Sequence, residues 1–183
     1  QAFKRGQMLE AKRALEKAME LAPNDALYYT LLGRVYLETS QTESAINAFK
    51  ESIVCNDKLP DPHYYLGIIN ERLDKPDDAA ARYLEAATLD PETAQYVTAA
   101  VETMIGEGRF ADAESVLSQY GGRFTDSAAV HHLRGRIAMM NSKWSEAVDS
   151  LQRASLIDDE DPWLLADLAR AQFAAGHHTD CLT

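Results

Sequence analysis

The sequence has 183 residues, of which 46% are hydrophobic, and its 18 Lys and Arg against 29 Asp and Glu give a formal net charge of −11. That length and composition suit an ordinary globular protein, and the acidic balance argues against nucleic acid or an anionic membrane as a partner, since both need a basic surface. No stretch approaches the roughly 18–20 uninterrupted apolar residues of a membrane span, no basic-then-apolar leader opens the chain, and the two cysteines, Cys55 and Cys181, cannot by themselves form a disulfide framework or a four-ligand zinc site.

Taken in chain order, residues 1–22 read as the last turn of one helix, a turn at Gly6-Gln7 and a second helix. Beyond Pro23-Asn24-Asp25, the residues Tyr29, Leu32, Gly33 and Tyr36 fall at i, i+3, i+4 and i+7, one face of a helix. A polar break from Glu38 to Glu43 precedes a second amphipathic run through Ala45, Ile46, Phe49 and Ile53. Breakers then recur at Asp57 to Pro62, Asp90-Pro91, Gly121-Gly122 and Asp158 to Pro162. No segment alternates with period two for long enough to make a strand.

The recurrence is strict. Alanine stands at positions 11, 45, 79, 113 and 147, always 34 residues apart. Gly33, Gly67 and Gly135 share a second column with Val101 and Ala169. A third holds Leu15, Phe49, Tyr83, Leu117 and Leu151, and a fourth Ala18, Ser52, Ala86, Tyr120 and Ala154. The period predicts full units over 26–59, 60–93, 94–127 and 128–161, flanked by partial units over 1–22 and 162–183, all within one array. A chain that begins and ends inside a unit reads as part of a longer protein, with Trp163, Leu164, Leu165 and Leu168 exposing apolar surface at its end.

The run Tyr29-x-x-Leu32-Gly33-x-x-Tyr36 followed by Ala45-x-x-x-Phe49 resembles the tetratricopeptide repeat, and the other units keep enough of it (Leu66-Gly67, Ala79, Tyr83, Pro91; Gly135, Ala147, Leu151) for the resemblance to cover essentially the whole chain. It implies an all-α fold, a right-handed superhelical solenoid of antiparallel helix pairs. It also implies that the first helix of each pair lines the concave side. The third unit departs most, with Val101 for glycine, Met104 for an aromatic residue and Gly121-Gly122 shortening its second helix, so 94–127 is expected to be the softest.

Catalytic and metal chemistry find little support. His63, His131, His132, His177 and His178 lack ligand spacing, since adjacent histidines on a helix point about 100° apart. Cys55 shares a column with Leu21, Leu89 and Ile157, which predicts a buried structural thiol. The run Asp158-Asp159-Glu160-Asp161 lacks the glycine and ligand spacing of a calcium loop and reads as a helix N-terminus. The expectation is a non-enzymatic protein without metal or cofactor.

The stripe beside each buried face supplies the candidate binding residues. It gives Thr30, Arg34 and Leu37, then Tyr64, Ile68 and Glu71, then Thr98 and Glu102, then His132, Arg136 and Met139, and finally Arg170. Apolar and aromatic members mixed with charges suit peptide recognition, and Arg136 with Arg170 could hold a carboxylate. The lysine/asparagine clamp by which some family members hold chaperone C-termini is not reproduced in either register. The expected function is therefore a scaffold that binds a peptide segment of a protein partner. Self-association through the terminal helices and a regulatory arm of a larger enzyme are the alternatives. Two unpaired cysteines fit a reducing cytoplasm, although a periplasmic or membrane-anchored parent would leave the same residues.

Overall fold

The computed structural model describes residues 2–176, and among them every regular element is helical. The α-helices are α1 (Ala2–Leu21), α2 (Ala26–Glu38), α3 (Thr42–Cys55), α4 (Pro60–Arg72), α5 (Pro76–Leu89), α6 (Ala94–Gly106), α7 (Phe110–Tyr120), α8 (Ala128–Met140), α9 (Trp144–Ile157) and α10 (Pro162–Ala174). A 3-10 turn, Gly121–Arg123, follows α7 at the predicted glycine pair. The first helices start at 26, 60, 94, 128 and 162, so the 34-residue period of the sequence is the period of the helix pairs. The chain divides into two compact units, Gln1–Asp90 with α1 to α5 and Pro91–Thr183 with α6 to α10.

Local chemistry sets the helix boundaries. The carboxylates of Asp25 and Asp161 accept the backbone N–H of Leu27 and Trp163, each at 2.9 Å, and proline opens α4, α5 and α10, where its missing N–H costs nothing. The acidic run before α10 thus ends in an N-cap, as its position predicts. Between first and second helices the chain turns through a left-handed residue at Ser40, Asp74, Gly108, Ser142 and Gly176, with φ of 59°, 57°, 70°, 57° and 88°. Gly6 occupies the same column, yet α1 runs through it unbroken and the expected turn there does not form. No packed first helix among the described residues holds Gly6 in a turn, and nothing lies within 4 Å of where its Cβ would be. Since only glycine takes this conformation freely, Gly108→Ala is expected to lower stability by about 1 kcal/mol in chemical denaturation. Gly106→Ala, two residues earlier inside α6, should not lower it.

The cores lie between paired helices. In the first unit Ala45, Phe49, Leu66 and Ile69 pack together, and in the second Ala147, Leu151, Leu164 and Ala171 do so. The small column marks the closest approach: a Cβ on Gly33 would sit 2.6 Å from Phe49 Cε1, and one on Gly135 2.5 Å from Leu151 Cγ. Val101 puts a branched side chain at the same place, and α6–α7 is the most loosely packed of the four complete pairs. Amide exchange is accordingly expected to be faster over 94–127 than over 26–89; equal protection would contradict this reading.

Terminal exposure is mixed. Trp163 and Leu165 are open to solvent, but Leu164 is buried in the core and Leu168 is half-buried against it, because α10 packs on α9 through that face. Cys55 is half-buried rather than buried, since its column closes the second helices, where Leu21, Leu89 and Ile157 also meet water. Cys181, His177 and His178 lie outside the described residues. No described helix is long and apolar enough to cross a membrane.

Candidate peptide-binding surfaces

Each unit has its own inner surface. In the first unit α1, α2 and α4 enclose a cleft of about 490 Å³, with Leu15 and Leu31 on its walls and Arg34 and Tyr65 beside them. The Arg34 guanidinium lies 5.4 Å from the Tyr65 ring centroid. Tyr65 in turn stacks on Phe49 at 5.3 Å and meets Tyr64 edge-on at 5.5 Å, so the aromatic patch rests directly on the core. Ile68 is half-buried against the same cluster. Exposed Glu71 accepts a 2.8 Å hydrogen bond from the buried Tyr83 hydroxyl.

Burial pushes the Tyr65 phenol above its ordinary value of 10.0, while the Arg34 charge pulls in the opposite direction. A raised pKa means that the folded state keeps a proton the unfolded state loses, so this group's contribution is complete below about pH 10 and fades as pH rises through the folded value. In a tyrosinate absorbance titration compared with Tyr65→Phe, Tyr65 is expected to ionise above 10.0, and Arg34→Ala to move it higher still.

In the second unit a cleft of about 330 Å³ runs between α6, α8 and α10. Leu133 and Leu164 form its apolar floor, and Glu102, His132 and Arg136 stand along it. Asp158, Asp161 and Trp163 edge one end, with Trp163 75% exposed. His132 Nε2 donates to Asp167 Oδ2 at 2.9 Å, and Asp167 Oδ1 lies 3.2 Å from Arg170 Nη1. Arg170 thus pairs with a carboxylate of its own helix. Thr98 is half-buried, its hydroxyl donating to the Gln95 carbonyl at 3.2 Å.

Three stripe residues turn away from the surface. Thr30 is 2% exposed, its hydroxyl 2.7 Å from Ser52 Oγ and donating to the Ala26 carbonyl at 3.1 Å. Leu37 and Met139 are also buried in their cores. The reason is packing: α2 lies against α3 and α4, and α8 against α9, which covers these three positions while Arg34, Glu71 and Glu102 of the same stripe stay exposed. Tyr65 and Leu133 line the two clefts from the next column around and Asp167 in that column bonds His132, and their shared 34-residue spacing with Leu31 is the signal that marks them.

His63 and His131 are engaged within the fold. His63 Nδ1 donates to Glu85 Oε2 at 2.7 Å, and His131 Nε2 donates to the Thr125 carbonyl at 2.8 Å. No group of three or more His, Cys, Asp or Glu among the described residues could hold a metal ion.

Family models described as tetratricopeptide repeat match residues 2–25, 14–47 and 73–137, together more than half of the chain. The protein bimA of Emericella nidulans is 26% identical over 85 residues; the match takes in 46% of this chain but only 10% of that protein's length. Among solved structures, pilF of Pseudomonas aeruginosa superposes with a TM-score of 0.81 at 16% identity, over 98% of this chain and 82% of its own. YrrB, a tetratricopeptide-repeat protein with an unusual peptide-binding site, gives 0.69 at 20% identity, over 89% of this chain and 84% of its own. The chain belongs to the tetratricopeptide-repeat family, and its all-helical fold is that family's protein-interaction scaffold.

Proposed function

We propose that this chain binds a peptide segment of a partner protein on the inner faces of its first helices. The observation that carries the reading is the second unit's cleft, where an apolar floor meets charged groups of α6, α8 and the α9–α10 connection and an exposed indole stands at one end. Exposed aromatic and arginine side chains over a desolvated floor are the composition of interaction hot spots. The aromatic patch under Arg34 offers the first unit a surface of similar character. YrrB, which shares the fold, lends the reading further support.

The test is capture from a source-cell lysate with the intact chain, compared with an Arg34→Ala/Arg136→Ala variant, both read by mass spectrometry. Neither side chain belongs to a core cluster, so the variant should fold. The reading expects at least one partner to be lost with the variant. If every partner is recovered equally by both, the inner faces are the wrong surface.

A further inference from the structure

We propose that the end of the second unit's cleft marked by Trp163 receives a lysine or arginine side chain of the bound peptide. The proposal rests on the peptide-binding reading above and names the partner's chemistry. The helices α8 and α10, both packed on α9, run parallel, and the His132–Asp167 hydrogen bond joins them at nearly the same height, the fifth residue of one and the sixth of the other. Trp163, the second residue of α10, is therefore level with Ala128 and Ala129 at the start of α8. Arg136 stands about 10 Å further along, at seven residues from Ala129. The cleft is thus polar along its length. Its near end combines the Trp163 indole, 75% exposed, with the Asp158 and Asp161 carboxylates, while Arg136 stands with Glu102 towards the far end.

Charge decides which group enters the near end. Residues 91–176 carry 7 Lys and Arg against 13 Asp and Glu, and two of those acids, Asp158 and Asp161, line the cleft. The site's own cation, Arg136, is held away from it. The Asp161 carboxylate accepts the Trp163 amide hydrogen at 2.9 Å and so fixes the start of the helix that carries the ring, leaving further acceptor capacity on its oxygens. A long basic side chain fits this chemistry: its alkyl stem covers the indole, and its head meets the ring face and the carboxylates. An acidic peptide side chain would meet like charge at this end.

The experiment is a nuclear magnetic resonance titration of the intact chain with two small probes, N-acetyl-arginine methylamide and N-acetyl-glutamate methylamide. The arginine probe is expected to shift the Trp163 indole and the Ala129 and Asp161 amides saturably, while the Trp144 indole stays in place. Trp163→Ala, which removes an exposed side chain, is expected to weaken that binding roughly fivefold to tenfold as read on the Ala129 amide, and Asp158→Asn to weaken it as well. Saturation of the same resonances by the glutamate probe alone overturns the proposal, as does a lack of saturable shift with either probe, or an arginine affinity indifferent to Trp163. The two readings fail separately: lysate capture indifferent to Arg34 and Arg136 removes peptide recognition, whereas the probe titration reports the chemistry of the cleft itself.

Discussion

Tyr83→Ala is expected to destabilise the protein by about 3–5 kcal/mol, the usual cost of deleting a buried aromatic ring. The side chain is 1% exposed, its ring fills the space that Gly67 leaves open, and it lies 5.4 Å from the Tyr64 ring. Removing it opens a cavity between α4 and α5 beside Gly67, which has no side chain to fill it. The hydroxyl contributes much less. Its partner Glu71 is exposed and can turn to water, so Tyr83→Phe should cost only about 0.5–1.5 kcal/mol. Urea unfolding of both variants checks the difference. Equal losses would mean that the hydrogen bond, not the packing, holds this pair together.

Gly67→Val tests the same contact from the other side. Glycine inside a helix is unfavourable by roughly 0.8–1 kcal/mol relative to alanine, so propensity alone predicts a gain from any side chain here. Packing predicts the reverse, because the new Cβ would clash with three atoms of the Tyr83 ring, and overpacking a close-packed site costs about 1–3 kcal/mol. The clash should win, and the variant should be less stable than the parent. A second change, Tyr83→Leu, should recover part of the loss, since the third repeat carries Val101 and Leu117 in these two columns with both side chains buried. A double-mutant cycle that showed strict additivity would contradict a direct contact.

The two variants also show what the sequence made legible. Column chemistry is visible without coordinates: a glycine or alanine repeated every 34 residues opposite a large apolar residue states which helices touch and where. Helix starts were equally readable, because Asp25, Asp161 and the prolines act through local backbone chemistry. The unbroken α1 was not readable. Gly6 has the right type and column for a turn, but a left-handed turn persists only where packing holds it, and packing is tertiary. The same limit explains the inner surface. Periodicity placed Arg34, Glu102, Arg136 and the neighbouring Trp163 at the surface, yet Thr30, Leu37 and Met139 of the same stripe are covered by the helices packed against them, and how far that packing reaches is tertiary. The engagement of Arg170 with Asp167 was hidden for another reason: an i, i+3 pair on one helix competes with any ligand, and sequence alone does not rank the two.

The central claim is that the inner faces of the first helices, rather than the second helices, meet the partner. Site-specific photo-crosslinking tests it most directly, with the reactive side chain placed at Ala129 or Ala166 on the inner side and at Arg153 on α9, all three exposed. The account predicts crosslinks to a captured partner from 129 and 166 and none from 153. Crosslinking from 153 alone would contradict it.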